Sequence, residues 1–237
     1  VEHQVYVCSQ TMACMCYETL KRYEGAYLLA KKLMSGRLTE NEKKYIAHLY
    51  AMNGYMYATS FMHRDNRQLA KARAILEEIM PYANGKVREY ALSKIPLAWY
   101  FEAAEYHLSQ QYDKALACYQ NALKGFMELG KTNDEISVLR HIAEIKGTLY
   151  DVIGSENAYK QALSLSRQTG KSDAQMEILK ELWKIGKTIG DVQQAQAYAA
   201  SIDSLVDATS DLQTKYTYYN QKGNEARDLG QYGIAEQ

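Results

Sequence analysis

A chain of 237 residues and 27.0 kDa is long enough for one large domain or two small ones, and its 47% apolar and 24% charged residues exclude a mainly disordered state. Twenty-eight basic residues balance 28 acidic ones, which excludes wholesale nucleic-acid binding, and no apolar run approaches the roughly 18 residues of a membrane span. Two prolines in the whole chain, with 21 tyrosines against 3 phenylalanines, point to an all-α protein of thin helical layers, its large half-buried side chains sending their hydroxyls to water.

The first predicted helix carries Cys8, Cys14 and Cys16. Cys14 and Cys16 lie about 200° apart around it and cannot share a metal ion, so these three and Cys118 read as free thiols. Tyr23-x-x-Ala26-x-x-x-Ala30-x-x-Leu33 supplies the second helix of a first hairpin, residues 3–36. A second hairpin, 40–80, has the Tyr50 to Tyr57 stretch in its first helix and Leu69-x-x-Ala72-x-x-x-Leu76 in its second. Tyr50, Tyr55 and Tyr57 read as packing between helices rather than lining a groove. The intervals from Ala26 to Ala72 and from Ala72 to Ala115 are 46 and 43 residues, so loops near His63 to Asn66 and Pro81 to Lys86 take up the extra length.

Beyond this the chain repeats every 40 residues without a gap. Gln111-Tyr112-x-x-Ala115, Asp151-Val152-x-x-Ser155, Asp191-Val192-x-x-Ala195 and Gln231-Tyr232-x-x-Ala235 are copies of one string. Tyr119 matches Tyr159, and Ala122 matches Ala162. Ala103, Ala143, Trp183 and Gly223 share one upstream place, at which Trp183 is the large exception. Gly130 and Gly170 each end a helix, and Thr132 with Glu135 and Ser172 with Gln175 have the spacing of capping boxes. Hairpins follow over 85–130, 132–170 and 172–207, with an incomplete one over 209–237, turning at about 110, 150, 190 and 230. Ala26, Ala72, Ala103, Ala115, Ala122, Ala143, Ala162, Ala195 and Ala235 are the small residues that let helix axes approach, and Gly190 and Gly230 are turn glycines. No hairpin buries its apolar faces alone, so residues 1–237 are expected to stack as a single solenoid. The sixth unit stops inside its second helix. The chain is therefore expected to be a fragment of a longer protein, with a face at Tyr219, Gly223 and Ala226 that invites self-association.

The string Trp99-x-x-x-Ala103-x-x-Tyr106-x-x-x-x-x-Tyr112-x-x-Ala115-x-x-x-Tyr119-x-x-Ala122 resembles the tetratricopeptide repeat. Gly190 and Gly230 match that family's turn glycine, Gln110 and Tyr150 depart from it, and the closing proline is absent. The long-helix variety is similar to bacterial peptide-sensing regulators and to arrays that precede the membrane segment of bacterial sensor proteins; the latter would place the chain outside the cytoplasm with its thiols unpaired. The resemblance implies a right-handed α-α superhelix that binds a protein or peptide on a concave wall made by the first helix of each pair. At the i, i+4, i+7 spacing that wall takes Tyr100 and His107, then Arg140 and Glu144, then Lys180, Lys184 and Lys187, and last Asn220, Asn224 and Arg227.

The wall turns basic toward the C-terminus, which suits an acidic partner. Lys180 and Lys184 match only half of the carboxylate clamp of chaperone-binding relatives. A solvated lysine stripe on a spacer or assembly scaffold, working through its edges and convex face, is the competing expectation. No enzyme is expected: His63-x-Asp65 has no nucleophile at a recognisable motif, His107 and His141 lack ligand spacing, and Gly147 and Gly154 form no phosphate loop. Neither a cofactor nor a metal is implied.

Overall fold

The structure, a computed structural model, describes residues 2–63, 67–209 and 211–228, with side chains for all of these except 2, 221 and 224–228. Every regular element among them is an α-helix. In chain order these are α1 (Glu2–Thr19), α2 (Tyr23–Met34), α3 (Glu40–Ser60), α4 (Leu69–Ile79), α5 (Gly85–Leu108), α6 (Tyr112–Glu128), α7 (Thr132–Thr148), α8 (Val152–Gln168), α9 (Ser172–Ile189), α10 (Val192–Ala208) and α11 (Leu212–Asp228). The described residues fall into two compact units, one ending at Asp134 and the other beginning at Glu135 in the first turn of α7. None of these helices is long and apolar enough to cross a membrane.

The turns explain the 40-residue period. Lys21, Gln110, Gly130, Tyr150, Gly170 and Gly190 are all left-handed, with φ from 55° to 78°. After each, the next backbone N–H donates to the carbonyl five residues back: Arg22 to Tyr17, Gln111 to Tyr106, Lys131 to Phe126, Asp151 to Lys146, Lys171 to Ser166 and Asp191 to Gly186, at 2.8–3.2 Å. This closure uses one left-handed residue and satisfies the terminal carbonyls, and the following helix starts at once. It also overturns the expected capping box at Ser172. The turn is so short that Lys171 is the residue before α9 and makes no side-chain cap, while Ser172 is already inside the helix. Gln175 bonds the Ser166 carbonyl instead, at 3.1 Å. α7 likewise begins at Thr132 itself. The capping box that does form joins Thr39 and Glu42 at the start of α3.

Tyr150 holds a place that Gly190 holds one unit later, at φ 62° and with 91% of its surface exposed. A side chain in this region costs about 1–2 kcal/mol, partly offset because glycine has more freedom to lose on folding. Tyr150→Gly is therefore expected to stabilise the chain by about 0.5–1 kcal/mol, seen as a higher urea midpoint at unchanged slope. A lowered midpoint would show that the phenol holds something.

In the first unit, α1 packs on α2, α2 on α3, and so on to α6. Ala26, Ala72, Ala103, Ala115 and Ala122 are completely buried where the axes approach. Ile46, Leu76, Ile79 and Tyr119 fill the space around them, each worth roughly 1.5–3 kcal/mol of burial. α5 continues through Pro96, which is buried against α6 at Gly125; a methyl added there would come within 2.7 Å of the proline ring. The four thiols are free, Cys14 and Cys118 buried, Cys8 and Cys16 exposed; burial pushes the Cys14 thiol up to about 11.

The tyrosines correct one expectation. Tyr50 and Tyr57 are buried between helices and Tyr55 stacks on Tyr90, with centroids 6.0 Å apart. Their hydroxyls find carboxylates rather than water alone. Tyr27 donates to Glu78 at 2.9 Å, Tyr50 also donates to Glu78, and Tyr57 donates to Glu24 at 2.5 Å. The Tyr27 and Tyr50 rings stack 5.4 Å apart. Burial, and then the bond to Glu24, push the Tyr57 phenol up to about 12.

In the second unit α7 and α8 meet where the Ser155 hydroxyl donates to the Ala143 carbonyl at 2.8 Å. α8 packs on α9, α9 on α10 and α10 on α11. Ala143, Ala162, Ile145, Ile178, Leu182 and Val206 are completely buried.

Candidate partner-binding face

The residues assigned to the wall divide between the two units. In the first, Tyr100 and His107 are half-buried on α5 and turned onto α6. The Tyr100 ring meets Tyr119 edge-on at 5.8 Å, and His107 lies 6.0 Å from Tyr112 and 6.4 Å from Tyr119.

The second unit carries the charged part. Arg140 on α7 pairs with Glu177 on α9 at 2.5 Å, and Glu144 is exposed beside His141 at 3.5 Å, so that His141, expected to lack ligand spacing, does have a carboxylate three residues on, one helical turn away. Along α9, Lys184 bonds Glu181 at 2.7 Å, Lys187 stands 4.5 Å over the Trp183 ring, and Lys180 is half-exposed. None of the ion pairs among the described residues involves Lys180 or Lys187. Asn220 is exposed on α11. The side chains of Asn224, Ala226 and Arg227, the predicted repeat positions Gly230 and Ala235, and Asp65 lie outside what the structure describes.

Trp183 ceases to be an exception once α10 is seen against α9. Tyr119 and, forty residues on, Tyr159 are both buried; forty residues further stands Ala199. The large residue of the fifth unit has thus moved across the helix pair, from the α10 side to the α9 side. The close approach is kept by Gly186, where a methyl would meet Ala195 at 3.3 Å. The exchange opens a cavity of about 270 Å³ lined by Lys180, Trp183, Lys184, Ala199, Ile202, Tyr218 and Lys222. Trp183 and Ala199 also line a neighbouring cavity of about 390 Å³ that includes Lys187 and Val192.

Lys222 and Tyr218 come from α11, from which the sequence pattern takes Asn220, Asn224 and Arg227 instead. Lys222 donates to both oxygens of Asp203 on α10, at 2.8 and 3.0 Å, and the Tyr218 hydroxyl donates to one of them at 2.8 Å. Burial works to raise the Asp203 pKa, but the bonds from Lys222 and Tyr218 outweigh it and lower it. The face is chemically equipped to attract and hold, with ammonium groups around an indole and a phenol. Carrying the Tyr119 and Tyr159 alignment one unit further, to Ala199, was the available sequence signal for it.

No protein-family model matches the chain, and none of the curated proteins matches it. Among solved structures it is similar to the apo form of RapI, at 13% identity and TM-score 0.50, over 98% of this chain and 94% of that one. It is also similar to aspartyl phosphate phosphatase F from Bacillus subtilis, at 11% and 0.52, over 96% of this chain and 59% of that one. A signal transduction ATPase with a tetratricopeptide repeat sensor, from Pyrococcus horikoshii, matches at 17% and 0.46, over 95% and 36%. Identities this low bear on fold alone, and with eleven described helices, six of whose connections close through one left-handed residue, the chain has the all-α fold of tetratricopeptide-like helical-repeat proteins.

Proposed function

We propose that the chain is a non-catalytic protein-binding scaffold, the recognition or sensor region of a larger bacterial signalling protein, and that its second unit takes an acidic peptide or protein segment on the face made by α9 and α11. The observation that carries this reading is the set of four ammonium groups, Lys180, Lys184, Lys187 and Lys222, gathered around the Trp183 indole. Two of them already meet carboxylates of their own chain, leaving Lys180 and Lys187 to an incoming one.

A random peptide library panned on the immobilised protein tests it. The native chain is expected to enrich sequences rich in Asp and Glu, with binding that weakens as salt is raised. Lys180→Glu/Lys184→Glu/Lys187→Glu is expected to abolish that enrichment; acidic sequences recovered equally well by the triple variant would overturn the reading. A spacer or assembly scaffold is favoured by a different observation, the exposed apolar edge at the turns, where Tyr150, Ile153 and Val192 are 91%, 74% and 63% exposed. A partner held by that edge would be insensitive to the lysine changes and lost with Tyr150→Gly/Ile153→Ser.

A further inference from the structure

We propose that the cavity beside Trp183 is a side-chain pocket that selects one large apolar residue, flanked by carboxylates, within the bound segment. The proposal rests on the reading that this face binds a peptide, and adds what the peptide must contain. At about 270 Å³ the cavity lies below the roughly 300–1,000 Å³ of small-molecule sites and suits a single bulky side chain. Its walls are the indole, Ala199, Ile202 and the Tyr218 ring, which offer apolar contact; its polar lining is Lys180, Lys184 and Lys222. An apolar side chain inside therefore has neighbours in its own chain lying against ammonium groups. Lys180 is the first seat for a carboxylate, because Lys184 and Lys222 already serve Glu181 and Asp203. Each ammonium has three N–H donors, so Lys184, with one such bond, retains some for a ligand.

The size exchange argues against an accident of packing. The corresponding place is filled by Tyr119 in the third unit and Tyr159 in the fourth, both buried, and unfilled apolar volume destabilises a fold. The fifth unit leaves the place to Ala199 while the indole stands at its side, half-buried. A segment that supplies the missing side chain recovers contacts the other units make internally.

The experiment returns the fifth unit to the arrangement of the other two with Trp183→Ala/Ala199→Tyr, and in a second variant blocks the cavity with Ala199→Leu alone; circular dichroism checks that each retains the native helix content. Peptides enriched on the native chain are expected to carry Phe, Leu, Trp or Met beside Asp or Glu. Changing that apolar residue to Ala is expected to weaken binding about tenfold or more. On either variant the same change should matter less than about twofold, while the preference for acidic neighbours persists. Acidic peptides with no apolar preference on the native chain, or a full preference on the folded variants, overturn the pocket and leave the acidic-segment reading standing. Absence of any enriched peptide overturns both.

Discussion

Replacing Glu102 by Ala is expected to cost the first unit about 3–5 kcal/mol, the usual penalty for stranding a buried charge. Arg73 on α4 is only 9% exposed, its guanidinium lies 3.3 Å from the centroid of the Trp99 ring, and it pairs with the Glu102 carboxylate on α5, itself largely covered. Without Glu102 the cation remains between helices with an indole on one side and without its paired carboxylate, Glu77 being the charge left near it. Arg73→Met/Glu102→Leu should recover most of the loss, since removing both charges leaves none unpaired. The two tryptophans fall in different units, so fluorescence of Trp99 in a Trp183→Phe background follows the first unit through a urea transition. A loss under about 1 kcal/mol for the single change would show that water reaches the pair and screens it.

Glu78→Ala is expected to be the next most damaging change, at about 2–3 kcal/mol. Glu78 on α4 receives the hydroxyls of Tyr27 from α2 and Tyr50 from α3, and the Lys31 ammonium at 2.5 Å, so one carboxylate ties three helices. Both phenols are less than 5% exposed and would lose the charged acceptor they share. Burial works to raise the pKa of Glu78, but the bonds from Lys31, Tyr50 and Tyr27 outweigh it and lower it. A carboxylate depressed in the folded state binds fewer protons there than when unfolded. Its contribution is therefore fully present above the unfolded value, near about 4.3, and disappears as pH falls through the lower folded value. Glu78→Gln should flatten this acid limb of the first unit's stability, and an acid limb of unchanged depth would assign it to other carboxylates.

The architecture was legible in the sequence wherever one residue type has one reason to stand at a place. Alanines at Ala103, Ala115, Ala122, Ala143 and Ala162 mark axis approaches because larger side chains would hold the helices apart, and Gly190 marks a turn because it tolerates positive φ. What stayed hidden depends on two chain segments at once. Ser172 looked like a cap because its spacing to Gln175 is right, and only the one-residue closure after Gly170 shows that the helix has already begun. Trp183 reads as a lapse in the repeat until Ala199 is placed opposite it. Lys222 looks like one more surface lysine until α11 brings it to Asp203. Pro96 alone argues against an unbroken α5, yet the helix persists with the proline packed against Gly125.

The turns also govern how such a chain can change in length. Inserting one residue into α8 would swing every later side chain of that helix by about 100°, away from the neighbours it was matched to. A closure that uses a single left-handed residue at Tyr150 or Gly170 contains nothing to absorb the shift. The intervals from Ala26 to Ala72 and from Ala72 to Ala115 are 46 and 43 residues instead of 40; α3 and α5 have 21 and 24 residues against the 17 or 18 of α6 to α10, and Lys86, expected in a loop, lies inside α5, so the extra length is carried partly by helices. Where closures at Gly130, Tyr150, Gly170 and Gly190 follow one another, a gene for this array keeps every match by gaining or losing whole 40-residue modules, whereas the unequal intervals of its earlier part show helices free of that period.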